Sequence, residues 1–306
     1  MRTLSGLRTL SQSRATAALA SVLLCLAISV GSANAKPVTT DHVEAELIAE
    51  KTAVEPGKPL RLGLRLKMDE HWHTYWRNPG DSGQPTALEW KLPPGYAAGE
   101  ILWPEPRRLP AGPLMNFGYE GEVLLPVDIA VPATAAGTVT LAARAIWLVC
   151  NPERCVPEEA VLSLALPVGG GPPSPWSAAI ARTRAALPVK ADAAWKFSAQ
   201  RGTNGVLLDV MPPAGIALRT LQFFPYEEGK IHNAGAQTLH GSRLEIPAAL
   251  QPVGAFNRVA GVLVGGPQTV EIDVPVVGGA TGTAVSGVAL TRETIGSIMQ
   301  VPCLRP

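Results

Sequence analysis

The chain has 306 residues, with 26 basic and 25 acidic side chains, 29 prolines and 30 glycines. The balanced charge excludes the strongly basic surface that nucleic-acid binding requires, and the many prolines and glycines argue against long helices. Because the length exceeds one ordinary domain, the composition favours two β-rich domains.

The first 35 residues have the three parts of a secretory signal peptide. Three arginines precede an apolar run from Ala17 to Val30, and residues 33–35 supply the small side chains of a cleavage site. A run of 14 residues is too short to span a bilayer. We therefore expect an exported, soluble protein that begins at Lys36. Its formal charge is about −2, because the leader removes three arginines and no acidic residue.

Residues 36–168 have the short, regularly punctuated apolar segments of an immunoglobulin-like β-sandwich. From Leu60 to Met68, apolar residues alternate strictly with Arg, Gly and Lys, which predicts a half-buried antiparallel strand. Segments bounded by turn residues predict further strands at Val43–Ala53, Leu124–Val131, Thr138–Val149 and Ala160–Leu166.

The segment from His71 to Arg77 is the densest aromatic stretch of the chain. In a strand, His71, His73 and Tyr75 would share one face, opposite Trp72, Thr74 and Trp76. Two histidines spaced in this way could begin a copper or zinc site, completed by thiolates or Met115. The alternative is that the tryptophans fill a core while the histidines lie at a surface.

Residues 80–85, Gly-Asp-Ser-Gly-Gln-Pro, superficially resemble the nucleophile segment of chymotrypsin-like serine proteases. In those enzymes the catalytic histidine and aspartate come from a barrel that precedes the serine, and the exported chain has too few residues before Gly80 for one. The composition is typical of a loop that follows a strand.

Gly169–Pro173 is the predicted boundary between two domains, because it combines three glycines with two prolines. Ser174 and Pro175 predict a helix cap and first turn, with a helix to about Leu187, so that residues 169–187 form a linker and short helix. A second β-sandwich is expected over residues 188–277 and a flexible tail over 278–306. Its predicted strands are Val206–Val210, Leu221–Phe224, Val259–Val264 and Val270–Val274.

Three cysteines remain after the leader, with Cys25, is removed: Cys150, Cys155 and Cys303. An oxidising compartment favours pairing of Cys150 with Cys155, and the Asn151-Pro152 turn can bring their Cα atoms to roughly the 5.5 Å of a disulfide. For Cys303 we predict no function.

The residues alone leave open whether this disulfide is a permanent staple or a bridge that opens and closes. Closing so short a loop removes little chain entropy, which suits a bridge that cycles. Arg154 favours a thiolate, whereas Glu153, Glu158 and Glu159 oppose it.

Three segments carry a family resemblance: His71-Trp-His-Thr-Tyr-Trp-Arg-Asn-Pro-Gly-Asp81, Asn116-Phe-Gly-Tyr-Glu-Gly-Glu-Val-Leu-Leu-Pro126 and Trp147-Leu-Val-Cys-Asn-Pro-Glu-Arg-Cys-Val-Pro-Glu158. They resemble the N-terminal periplasmic domain of the thiol:disulfide interchange protein DsbD, and more closely the ScsB, suppressor of copper sensitivity, branch. Four residues separate the cysteines here, as in that branch, whereas DsbD has five.

The resemblance implies an immunoglobulin-like domain that works as part of a protein-disulfide reductase in the periplasm, without a cofactor. Electrons would come from a transmembrane disulfide reductase domain and pass to periplasmic thioredoxin-fold or peroxiredoxin-like acceptors. Full-length relatives are anchored in the inner membrane. The alternative function is copper binding or copper tolerance through Cys150, Cys155, His71 and His73.

The same resemblance implies roles for single residues. Cys155 would form the mixed disulfide with a partner, and Cys150 would resolve it. Asn116, Phe117 and Tyr119 would belong to a cap loop that shields the cysteine pair until a partner docks, which restricts exchange to docked partners.

Overall fold

The computed structural model describes residues 35–278, which form strands and one helix. This confirms the all-β class. The strands of the first half are β1 (Val38–Thr39), β2 (Val43–Ala49), β3 (Leu60–Met68), β4 (His73–Gly80), β5 (Ala87–Lys91), β6 (Ala97–Ala98), β7 (Arg107–Ala111), β8 (Leu114–Glu120), β9 (Glu122–Ala130), β10 (Thr138–Cys150) and β11 (Cys155–Pro167). Helix α1 (Ser177–Ala185) follows, and then β12 (Val189–Lys190), β13 (Lys196–Arg201), β14 (Gly205–Met211), β15 (Gln222–Pro225), β16 (Thr238–His240), β17 (Arg243–Pro247), β18 (Arg258–Val264) and β19 (Val270–Val277).

Strands β1 to β11 form two sheets that share one core. One sheet has the order β1-β2-β3-β9-β6, and the other has the order β11-β10-β4-β8-β7 with β5 beside β10. Leu64 and Leu125 of the first sheet and Trp76 and Trp147 of the second are fully buried in the same cluster. We call this part the first β unit.

The alternation in residues 60–68 is confirmed by β3. Its leucines and Met68 are buried, while Arg61 and Lys67 are exposed. The predicted strand over Val43–Ala53 was too long, because β2 ends at Ala49 and the chain then turns to pair with the linker.

The Gly/Pro linker is hydrogen-bonded to the first β unit. The Gly169 amide donates to the Val54 carbonyl at 2.8 Å, and the Thr52 amide donates to the Pro172 carbonyl at 3.0 Å. The predicted cap at Ser174 was wrong, since the helix begins at Ser177. The Ser174 hydroxyl instead donates to the Ala49 carbonyl and accepts from the Trp176 amide, which fixes the turn before the helix.

Residues 189–277 form a second β unit with its own core. Its eight strands follow one hydrogen-bonded order, β15-β18-β19-β13-β14-β17-β16 with β12 beside β19. The four predicted strands of this half are present, each within a few residues of its predicted bounds. The hydrogen bonding joins these eight strands in one sheet, seven in a single order and β12 beside β19, and not in the two separate sheets of the predicted sandwich.

The two β units meet at an aromatic joint. Phe224 of β15 lies 4.9 Å from Phe117 of β8 and 6.3 Å from Trp76 of β4, measured between ring centroids. The buried Asn78 amide of β4 donates to the Pro225 carbonyl at 2.8 Å. The second β unit therefore packs on β4 and β8, the strands that follow β10 in the sheet.

Several sequence predictions lie outside the described residues, namely the leader with Cys25 and the tail with Cys303. Between residues 35 and 278, no helix is long and apolar enough to cross a membrane.

Candidate functional site

The two cysteines close a long β-hairpin. Strands β10 and β11 pair along their whole length, and Cys150 and Cys155 are the last pair before the turn. They are joined by a disulfide, with their Cα atoms 4.1 Å apart. The Asn151 side-chain oxygen accepts from the amides of Glu153 and Arg154, both at 2.9 Å, which closes the turn that the sequence predicted.

The two sulfur-bearing residues differ sharply in exposure. Cys150 is 2% exposed, whereas Cys155 is an exposed residue at the start of β11. Cys155 is therefore the cysteine that a thiol from another molecule can approach, while Cys150 is buried.

Tyr75 is the buried side chain that reaches both sulfurs. Its hydroxyl donates to the Cys150 Sγ at 2.8 Å and lies 3.8 Å from the Cys155 Sγ. Burial raises the pKa of Tyr75 to about 12, so the hydroxyl keeps its proton at neutral pH and remains a donor. The sequence placed Tyr75 on a histidine-bearing face but gave it no role.

His73 and His71 lie in different surroundings, which corrects the predicted shared face. The strand begins at His73, because His71 lies in the preceding turn with a φ of 67° and a side chain that is 80% exposed. His73 pairs with Cys150 across the strands and packs edge-on to Tyr75, with 5.3 Å between ring centroids.

His73 has a buried Nε2 atom without a hydrogen-bond partner among the residues that the structure describes. Burial lowers the pKa of His73, and the charge of Glu120 opposes this effect in part. The imidazole beside the disulfide is therefore held neutral.

We expect His73 to make the protein less stable in mild acid. As the pH falls below 6.5, the ordinary histidine pKa, the unfolded chain binds a proton that folded His73 takes up only at its lowered pKa. The free energy of unfolding therefore falls between these two values. Urea unfolding at pH 7 and pH 5 tests this, because His73→Gln should weaken the pH dependence and the matched change at exposed His71, His71→Gln, should not. Equal pH dependence in wild type and His73→Gln would contradict it.

An aromatic platform holds the turn between the cysteines. The His42 ring stacks on Trp72 at 3.6 Å, and the Arg154 guanidinium lies 5.6 Å from the centre of a Trp72 ring. A guanidinium nitrogen of Arg154 also lies 3.4 Å from the His42 Nε2. Because Arg154 directly precedes Cys155, the platform restrains the position of the exposed cysteine.

Two of the glutamates that were expected to oppose a thiolate are engaged elsewhere. Glu158 is buried and accepts from the His42 amide at 3.0 Å and from the Trp147 indole at 3.3 Å. Glu159 pairs with Arg144 across the hairpin. Of the three acidic neighbours, Glu153 lies in the turn itself.

The residues predicted to form a cap loop lie in strand β8. Gly118 pairs with Tyr75, so Phe117 and Tyr119 project from the opposite face of the sheet, into the core. The Tyr119 hydroxyl donates to the Pro104 carbonyl at 2.8 Å. The Asn116 side-chain oxygen accepts two hydrogen bonds from Ser82, one from the backbone amide at 3.1 Å and one from the hydroxyl at 2.9 Å. Tyr75, on the disulfide's side, is the aromatic residue that contacts the sulfurs.

The serine segment after β4 is a loop, as its composition indicated. Residue 83 must be glycine, since its φ is 104° and a Cβ atom there would lie 2.2 Å from the Tyr75 ring. The loop therefore packs directly on the tyrosine that contacts the disulfide.

Comparison with known proteins agrees with the motifs. The family model described as "Thiol:disulfide interchange protein DsbD, N-terminal" matches residues 44–167, which confirms the predicted family. The crystal structure of the N-terminal periplasmic domain of ScsB from Proteus mirabilis is similar in fold, with a TM-score of 0.62 and 16% sequence identity. The similarity covers 80% of this chain and 99% of that one, so it extends beyond the family match. No curated protein sequence matches the chain.

Proposed function

Residues 44–167 belong to the family of DsbD N-terminal domains, and on this premise we propose that the chain relays electrons between a membrane disulfide reductase and oxidised periplasmic proteins. The carriers are the sulfurs of Cys150 and Cys155. The observation that carries the proposal is the disulfide at the hairpin tip, in which Cys155 is an exposed residue and Cys150 is buried.

The exposure of the cysteines supports a separate role for each. In the reduced protein, the Cys155 thiolate attacks one sulfur of the partner's disulfide, forming a mixed disulfide and releasing the partner's other sulfur as a thiolate. The Cys150 thiolate then attacks the Cys155 sulfur and releases the second thiolate of the partner. Two electrons pass to the partner, and the Cys150–Cys155 bond forms again. The donor reverses these steps.

Tyr75 supports the buried cysteine in this cycle. Its hydroxyl already points at the Cys150 Sγ, and a thiolate accepts such a hydrogen bond more strongly than a disulfide sulfur does. Tyr75 therefore stabilises the reduced form of the pair.

The family and the similar structure support the proposed location and partners. The similar ScsB domain is a periplasmic domain by its description, and the leader over residues 1–35 agrees with export. We place the redox chemistry in residues 36–168, an immunoglobulin-like domain, and assign a supporting role to a second domain over residues 188–277. The donor is a transmembrane reductase domain, and the acceptors are thioredoxin-fold or peroxiredoxin-like proteins.

The copper-binding alternative gains no support from the geometry. His73 lies beside Cys150 in the sheet, but His71 is exposed in the preceding turn, so the two histidines do not converge on one site with the cysteines. Within residues 35–278, no group of three His, Cys, Asp or Glu side chains is arranged to hold a metal ion.

Reduction by a protein donor tests the proposal. We expect the oxidised chain, mixed with a reduced thioredoxin-fold protein, to gain two thiols, at Cys150 and Cys155. Acid quenching, alkylation and peptide mass measurement locate these thiols and separate them from Cys303. A Cys150→Ser, Cys155→Ser double variant is the control and should leave the donor reduced. A bridge that stays closed in the presence of excess donor would show a static staple.

A further inference from the structure

The second β unit is linked to the disulfide by a chain of polar and packing contacts. It begins at Asn233, which lies between β15 and β16 and is 4% exposed. The Asn233 side-chain amide donates to the Asp81 Oδ1 of the first β unit at 2.8 Å. The connection therefore joins a buried residue of one β unit to the loop after β4 in the other.

Asp81 holds that loop against β8. Its second carboxylate oxygen accepts from the Met115 amide at 2.8 Å, and its own amide donates to the Met115 carbonyl at 3.1 Å. The Asn116 side chain holds the next residue, Ser82, through two further hydrogen bonds. The first two residues of the loop, Asp81 and Ser82, are thus both hydrogen-bonded to β8.

The loop then fixes Tyr75. Gly83 lies so close to the Tyr75 ring that there is no space for even a Cβ atom between them. A side chain packed this tightly cannot change its position without movement of the loop. The Tyr75 hydroxyl, in turn, is held at the Cys150 Sγ.

Arg108 adds a further contact at the Asn233 end of this chain of contacts. Its guanidinium donates to the Asn233 carbonyl at 2.7 Å and lies in the field of Asp81. The half-buried Arg108 guanidinium and the Asp81 carboxylate of the first β unit therefore meet Asn233 of the second at the point where the loop is anchored.

We propose that Asn233 is a positioning residue for the disulfide: by holding Asp81 it keeps the 81–83 loop on Tyr75 and so keeps the Tyr75 hydroxyl on Cys150. The inference rests on the proposed exchange function and extends it, because it gives the second β unit a part in setting the redox equilibrium. Loss of the anchor lets the loop move, and the reduced pair then loses a hydrogen bond that stabilises it.

The test is the equilibrium of the full chain with glutathione, in which two glutathione thiols reduce the bridge and become glutathione disulfide. We expect Asn233→Ala to shift the equilibrium constant about three- to tenfold toward the Cys150–Cys155 disulfide. Asp81 is exposed, and Asp81→Asn replaces one of the two carboxylate oxygens that accept from Asn233 and Met115. This variant should shift the equilibrium constant in the same direction. Thr269→Val is the matched control, since Thr269 makes a side-chain contact across the joint, to Glu105, that does not involve the loop; we expect no shift.

A double variant separates positioning from general loosening. With Tyr75→Phe already present, Asn233→Ala should cause no further shift, because its effect passes through the tyrosine hydroxyl. An unchanged equilibrium in both Asn233→Ala and Asp81→Asn would overturn the inference, as would an undiminished shift in the Tyr75→Phe background. If the wild-type bridge itself resists glutathione, the proposed exchange function fails, and the role of Asn233 fails with it.

Discussion

A Cys150→Ser variant should accumulate as a mixed disulfide with an oxidised partner protein, whereas a Cys155→Ser variant should form almost none. Cys155 is the exposed cysteine that a partner can approach, and without Cys150 there is no second thiolate to release the partner. Non-reducing electrophoresis of each reduced variant, mixed with an oxidised thioredoxin-fold protein, measures the trapped species.

Peptide mass measurement of the trapped species supplies the control, because Cys303 is a further cysteine of the chain. The linked peptide should contain Cys155. Equal trapping by the two variants, or trapping mainly through Cys150, would contradict the assignment of Cys155 as the exchanging residue.

A Tyr75→Phe variant should have a more negative reduction potential than the wild-type protein. Its hydroxyl donates to the Cys150 Sγ in a buried site, and hydrogen bonds to charged groups contribute about 1.5–3 kcal/mol. Because about 30 mV corresponds to 1.4 kcal/mol for a two-electron couple, the potential should fall by about 30–60 mV. Equilibration with glutathione buffers measures this value.

Tyr119→Phe is the matched control for Tyr75→Phe. It removes a buried hydroxyl from the strand next to Tyr75, where that hydroxyl donates to the Pro104 carbonyl and not to sulfur. The control should keep the wild-type potential. Equal potentials in Tyr75→Phe and wild type would show that the hydrogen bond does not act on the redox equilibrium.

Alternation and turn chemistry predicted much of the first β unit. The strict pattern of Leu60–Met68 allows one face to be buried, so its strand was predicted with the observed bounds. The hairpin tip was predictable for a local reason, since Asn151 closes the turn with hydrogen bonds to its own neighbours. The pairing of Cys150 with Cys155 follows from that turn.

Contacts between distant segments were not predictable from one sequence. The face shared by His71 and His73 depended on where a strand begins, and a turn at His71 removed it. Ser174 has the composition of a helix cap, yet its hydroxyl bonds to Ala49, 125 residues away. Tyr75 gained its role from two cysteines far along the chain, and the residue spacing gave no sign of this contact.

The resemblance did not show the geometry of the residues predicted to form a cap loop. Asn116, Phe117 and Tyr119 do lie in the strand beside Tyr75, but the two aromatic side chains project into the core. There Phe117 meets Phe224 of the second β unit, a contact that depends on how two separate parts of the chain pack.

The reduction potential of the wild-type Cys150–Cys155 pair tests the central claim most directly. Equilibration of the full chain with glutathione buffers, followed by alkylation and peptide mass measurement, determines it. An exchange-active pair should titrate in the range of cellular thiol carriers, about −180 to −270 mV. A potential below about −300 mV, the range of structural disulfides, would contradict a relay and show a permanent staple.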